Sequence, residues 1–192
     1  LAIKNNPWNV SRGFPGSHSV KLMHEKLINW KINGELNVPV FDKSLRNGLG
    51  DRSHWRLDNP DLLILEGWFL GVEPSSINFI DQSIDNAELS SNEFSYRSKI
   101  QNNLYEYLDV WNLIDNLWHL KPLKFEYMNI WKTNQEKEMF LQKGNALQDE
   151  KLSNFIRMLN VSIPHKSFDM INSYALCLID QQRNLVQSGL NL

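Results

Sequence analysis

The stretch Leu62–Gly71 reads LLILEGWFLG: four aliphatic residues, an acid, and then a glycine. An uninterrupted apolar run of this length suits a strand covered on both faces, as in a parallel sheet flanked by helices. Glu66 then falls at the carboxyl end of that strand, the edge at which open α/β sheets bind ligands. A carboxylate in that place is a hard oxygen donor for Mg²⁺, or it orients a hydroxyl for phosphoryl transfer. Gly67 and Gly71 permit a sharp turn after the strand. Trp68 is placed to line a pocket, although most buried tryptophans are simply core.

Upstream, Ser11–Leu27 (SRGFPGSHSVKLMHEKL) leads into an amphipathic run. Ser17 or Ser19 can cap a helix in which Val20, Met23 and Leu27 share one face. The expected helix runs from about Ser19 to Trp30 and stops near Gly34. The segment reads either as an ordinary approach to a helix or as an anion site in which Arg12 and His18 flank the helix start. Asn37–Phe41 (NVPVF) contains Pro39 and reads as a strand end or an edge strand. The following loop carries Lys43, Arg46, Arg52 and Arg56 against Asp42 and Asp51, with Gly48 and Gly50 for mobility. Cations on a closing loop are what a transferring phosphoryl group requires.

Downstream, Ile77–Asp81 is a second strand candidate, and Phe94–Leu120 has helical period, with Ile100, Leu104, Tyr107, Leu108 and Trp111 on one broad face. Pro122 breaks that run, and a strand is expected after it. Further helices are expected over Lys132–Gln142, Gln148–Leu159 and Lys166–Tyr174, and the CLIDQQRNL segment from Cys177 closes as a strand and turn. Lys132, Gln135 and Glu136 near a helix start read as a charged helix face. Buried strands alternating with helices give an α/β layered class.

The chain has 192 residues and a formal charge of −2, enough length for one cored domain and no electrostatic sign of a nucleic-acid or anionic-membrane partner. A single cysteine, Cys177, excludes an internal disulfide framework and fits a reducing, cytoplasmic setting. No apolar segment approaches the roughly 20 residues needed to span a bilayer. The opening LAIKNNPWNV has neither a methionine nor a signal-peptide pattern, so a clipped or processed chain is expected. The H-E-x-x-H, C-x-x-C, EF-hand and G-x-S-x-G patterns are all missing, and so is a G-x-x-x-x-G-K-[ST] loop.

Taken in order, RGFPGSH, VPVFDKSLRNGLGDR, LLILEGWFLG, NNLYEYLDVWNLIDNLWHLKP, IWKTNQE, LQDEKLSNFI and IDQQRNL resemble the D-glycerate 3-kinase family of P-loop kinases, related to uridine and pantothenate kinases. The combination of D-K-S, G-D-R and E-G-W is the specific part. The resemblance implies a P-loop NTPase-like three-layer α/β/α fold with a mainly parallel sheet, and a single kinase-like domain over residues 1–192. It further implies ATP with Mg²⁺ and phosphorylation of the 3-hydroxyl of glycerate or a similar hydroxylated acid. By position, Glu66 resembles the acid closing the Walker-B-type strand and holding the metal, with Lys43 and Arg52 as its catalytic companions. Arg46 and Lys132 are implied on the nucleotide side, and Arg12, His18, Asp42 and Trp68 on the acceptor side. Two departures stand out: the Walker A segment with the first strand would lie upstream of Leu1, and Ser19 replaces an aspartate. The chain is therefore expected to be part of such a kinase, inactive by itself, with a catalytically lapsed binding module as the alternative.

Overall fold

The computed structural model describes residues 6–46, 49–75, 89–144 and 146–190. The first helix, α1 (Val20–Asn33), starts and stops where its sequence dictates. Gly34 takes a left-handed φ of 73° and turns its N–H onto the Trp30 carbonyl at 2.7 Å, the usual chemistry of a glycine stop. The next two elements are strands, β1 (Leu36–Asp42) and β2 (Asp51–Asp58), paired as an antiparallel hairpin from Leu36↔Asp58 to Asp42↔Asp51. Pro39 is tolerated because both strands of a two-stranded sheet are edges, and the ladder slips between Pro39 and Phe41. The expected loop over Asp51–Arg56 is therefore a strand. Its period-two pattern sets Ser53, Trp55 and Leu57 against Arg52, His54 and Arg56. The hairpin rests on α1, with the Trp30 indole N–H on the Pro60 carbonyl at 2.9 Å and Lys26 Nζ 5.5 Å from the Trp55 ring centre.

The rest of the chain builds a helical layer and a second sheet. α2 (Ser91–Leu104) runs through a 3₁₀ turn at Tyr105–Tyr107 into the short α3 (Leu108–Trp111). The helical period expected to reach Leu120 ends there, and Trp118–Pro122 is strand β3. Beyond Pro122 the chain forms a helix, α4 (Tyr127–Lys143), where a strand was expected. α5 (Asp149–Val161) and the brief α6 (His165–Asp169) precede β4 (Ala175–Ile179) and β5 (Leu185–Leu190). β3 pairs parallel with β4, and β4 antiparallel with β5. The class is thus mixed α/β, with one parallel ladder among the three described.

Leu62–Leu65 departs from expectation. Among the described residues no strand pairs with it, and Leu62 and Ile64 are 75% and 73% exposed instead of covered on both faces. Leu65, of opposite parity, packs against the core. A segment without a neighbouring ladder is not a sheet strand, whatever its side chains prefer. Ile77–Asp81 lies outside the described residues. No described helix is long and apolar enough to cross a membrane.

The core gathers Trp8, Phe14, Phe69, Ile100, Tyr107 and Met158 between the opening loop, α2 and α5. One carboxylate holds that assembly together. Glu93, 7% exposed, accepts from the Trp8 indole at 2.9 Å, from Arg157 Nε and Nη2 at 2.8 and 2.9 Å, and from the Ser90 N–H at 2.9 Å. The last bond, with the Ser90 hydroxyl on the Glu93 N–H, completes a capping box. The Arg157 hydrogen bonds, helped by those from Ser90 and Trp8, outweigh burial and hold the Glu93 carboxyl at about 2.

A depressed folded-state value stabilises above the ordinary 4.5 and is lost as pH falls toward about 2. Glu93→Gln should therefore cost on the order of 2 kcal/mol at neutral pH. Urea unfolding of both proteins should show that gap closing between pH 4.5 and about 2. A gap independent of pH would remove the carboxylate's charge from the explanation.

Candidate functional site

The loop from Ser11 to Ser19 has no regular structure, so its shape depends on side chains from elsewhere. Inside it, the Ser17 hydroxyl accepts from the Gly13 and Phe14 N–H groups at 2.9 and 3.1 Å and donates to the Phe14 carbonyl at 2.6 Å. Phe14 inserts edge-on against Trp8 and Tyr96. From outside, the Trp68 indole donates to the Gly13 carbonyl at 2.5 Å, and Asn103 Nδ2 donates to the Pro15 carbonyl at 3.1 Å. Gly16 has a φ of 91°, and a Cβ on it would fall 2.1 Å from Asn103 Nδ2. Only glycine meets both conditions.

Tyr107 closes the loop from beneath. Its hydroxyl accepts the Gly16 N–H at 3.1 Å and lies 3.0 Å from His18 Nδ1. The residue is 1% exposed, and burial raises its pKa against the pull of the Gly16 and His18 backbone N–H groups, so the phenol keeps its proton. With the Gly16 N–H already on the oxygen, that proton has His18 Nδ1 as its acceptor. The assignment follows from hydrogen-bond matching and makes His18 a neutral imidazole with its proton on Nε2. The His18 ring is flanked by Phe69 and Tyr107 at 5.8 and 6.2 Å between ring centres. Although one edge of the residue faces solvent, this loss of hydration lowers its pKa and favours the same neutral form.

The hairpin meets the loop through two arginines that reach in opposite directions. Arg12 Nη1 donates to the Leu49 carbonyl at 2.8 Å, with its guanidinium 5.9 Å from the Phe41 ring centre. Arg52, paired with Phe41 in the ladder, reaches back and donates from Nη2 to the Ser19 hydroxyl at 2.5 Å. Ser19 occupies the N-cap position of α1, yet its side chain makes no capping bond.

The remaining sequence-derived residues divide by their partners. Asp42 accepts from the Ser44 hydroxyl and N–H at 2.6 and 2.8 Å, hydrogen bonds that lower its pKa. Arg46 lies on Asp51 at 2.6 Å, whereas the exposed Lys43 makes no side-chain hydrogen bond or ion pair with the described residues. Glu66 is exposed and likewise uncommitted. It stands two residues before Trp68, which fixes Gly13, so its backbone is within about 7 Å of chain from the loop's anchor. Trp68 is a half-buried frame residue, stacked on Phe168 at 5.8 Å. Lys132 is committed within its own helix to Glu136, whose other oxygen accepts the Leu147 N–H at 2.7 Å. Its ammonium also lies 4.7 Å from the centre of the Phe155 ring, whose far edge lies under Gly13. The structure thus brings Arg12, His18, Ser19, Arg52 and Trp68 to one junction.

Sequence reasoning missed the residues that hold this junction. Tyr107 registered as part of a helical face, and both it and Asn103 lie in the NNLYEYLDVWNLIDNLWHLKP block of the resemblance, but neither was given a role in the site. Nothing local marks them, because their partners are 88 to 91 residues away.

No family model matches the chain. Two curated yeast proteins do. The chain is 28% identical over 169 residues to the uncharacterized kinase mug58 of Schizosaccharomyces pombe, covering 79% of this chain and 57% of that one. It is 32% identical over 173 residues to the probable ATP-dependent kinase TDA10 of Saccharomyces cerevisiae, covering 80% and 55%. Among solved structures, D-glycerate 3-kinase from Cryptococcus neoformans superposes with a TM-score of 0.80 at 25% identity, over 96% of this chain and 71% of that one. The resemblance to the D-glycerate 3-kinase family holds. The structure of the YGR205w protein agrees, with a TM-score of 0.70 at 26% identity over 98% and 69% of the two chains. The chain spans little more than half the length of the curated relatives it matches.

Long-range ¹H–¹⁵N correlation spectra should show His18 as the Nε2–H tautomer with a pKa below the ordinary 6.5. Tyr107→Phe removes the donor that favours the neutral ring, so the pKa should move up. An Nδ1–H tautomer in the unaltered protein would contradict the assignment.

Proposed function

We propose that these residues belong to an ATP-dependent kinase that phosphorylates the 3-hydroxyl of glycerate or a similar hydroxylated acid. The observation that carries this reading is the junction itself. A loop held rigid by Trp68, Asn103 and Tyr107 presents Arg12 and the His18 Nε2–H beside Arg52. Such a set suits a small carboxylate, which a guanidinium and a neutral N–H donor hold through charge-assisted hydrogen bonds. The kinase likeness of the relatives supplies the reaction class.

In this reading Arg12 and His18 bind the acceptor's carboxylate, and Trp68 keeps their loop in place. Arg52 and Lys43 face the phosphates, while Arg46, already on Asp51, and Asp42, folded onto Ser44, shape the hairpin tip around them. Lys132 must leave Glu136 before it can meet a nucleotide. When bound, ATP with Mg²⁺ supplies the phosphoryl group and the charge that offsets its oxygens. Glu66 fits the metal, because its carboxylate is exposed and uncommitted and Mg²⁺ is commonly held by one or two carboxylates with phosphate oxygens and water. Among the described residues no group of three or more His, Cys, Asp and Glu forms a cage that would make the phosphates unnecessary. The buried free thiol of Cys177 suits a reducing, cytoplasmic site of action.

Glu66→Gln, made in the protein that carries these residues, should lower ADP release with D-glycerate by about a hundredfold or more, with an unchanged melting temperature. Near-normal turnover would take Glu66 out of the mechanism. Equal ADP release with pantothenate or uridine would sink the choice of acceptor.

A further inference from the structure

The β1–β2 ladder slips by one residue where the hairpin meets the site loop. Pro39 pairs with Trp55, so an unbroken register would set Ser53 opposite Phe41, yet Arg52 stands there. Slips of this kind re-aim side chains, and directly opposed residues share one face of a sheet. Phe41 and Arg52 therefore leave the hairpin together, and they reach opposite ends of one loop. Arg52 goes to the Ser19 hydroxyl, and the Phe41 ring lies under the Arg12 guanidinium, 5.9 Å from ring centre to Cζ.

Gly50 completes the arrangement. Its φ is 79°, and a Cβ there would fall 2.4 Å from Phe41 Cζ and 3.3 Å from Arg12 Nη1. Ring and guanidinium thus converge on one bare piece of backbone, beside the Leu49 carbonyl that accepts from Arg12 Nη1 at 2.8 Å. Phe41 is 49% exposed, so it is not committed to the core. An aromatic face orients a guanidinium through its quadrupole and takes none of its N–H donors.

We propose that Phe41 is a positioning residue of the acid site: its ring holds the Arg12 guanidinium in the notch over Gly50, aimed at the acceptor's carboxylate. The inference rests on the acid site proposed above and adds to it a residue from the hairpin. Arg52, on the phosphate side in that reading, leaves from the same rung. A change confined to Phe41 therefore acts on the acid and spares the phosphates.

Titrating the isotope-labelled 192-residue chain with D-glycerate tests this. In the unaltered chain the acid should move the Phe41 ring protons together with the Arg12 Nε–H signal. Phe41→Leu keeps an apolar side chain and removes the ring. By calorimetry it should weaken D-glycerate binding about fivefold, the size of one exposed cation–ring contact. It should change tripolyphosphate binding less than about twofold, and the Arg12 Nε–H signal should lose its ring-current shift. The ring-proton measurement needs no variant and decides the matter if Phe41→Leu fails to fold. Phe41 ring protons that stay still while Arg12 responds overturn the role of Phe41 with the acid site intact. So does an unchanged D-glycerate affinity in Phe41→Leu, or a loss shared equally by tripolyphosphate, in which case the ring merely supports the hairpin. If the unaltered chain does not bind D-glycerate, the acid site itself is overturned and this inference goes with it.

Discussion

The Tyr107 hydroxyl is the contact on which the junction depends. It is a single buried oxygen that accepts the Gly16 N–H and donates a hydrogen bond to His18 Nδ1. A buried phenol without partners is costly, and a loop N–H turned inward without an acceptor is equally so. Each need satisfies the other. The same contact sets the tautomer of His18, while burial lowers its pKa, so one hydrogen-bonded oxygen helps set both the shape of the loop and the chemistry of its histidine. The ring below it, packed against Phe69 at 5.3 Å and Trp111 at 5.3 Å, joins this pair to the core.

From that point the organisation spreads in two directions. Inward, Phe14 and Trp8 link the loop to α2, and Trp8 ends on Glu93, whose bonds to Arg157 join α2 to α5. Outward, Arg12 and Arg52 bind the loop to a hairpin that otherwise rests on α1. The inner side is aromatic and dry. The outer side is charged, and there Arg12 and Arg52 cross the seam between loop and hairpin.

Legibility in the sequence followed how local each cause was. α1 was readable because its glycine stop and apolar spacing act within a few residues, and the β1 proline announced an edge strand. β2 was hidden because arginine and aspartate alternate with Trp55 and Leu57, and a charged face reads as a loop. The helix expected to reach Leu120 was overextended because Trp118 and Leu120 continue its period, while the β4 ladder claims them instead. For Leu62–Leu65 the composition of a buried strand was plain, but composition cannot supply the neighbouring strand that makes a ladder. At the junction, Arg12, His18, Arg52 and Trp68 were singled out from their motifs, and the structure brings them together. The commitment of Lys132 to Glu136, one helical turn away, was equally local and was passed over as a charged face.

The central claim is that the loop–hairpin junction is where a small hydroxy acid binds. Titrating D-glycerate into the ¹⁵N-labelled chain and following its amide and arginine Nε–H signals tests this most directly. The account predicts shifts concentrated at Gly13–Ser19, at the Arg12 and Arg52 side chains and at the Trp68 indole, with α4 unmoved. Shifts centred on Lys132 and α4, or none at the loop, would contradict it.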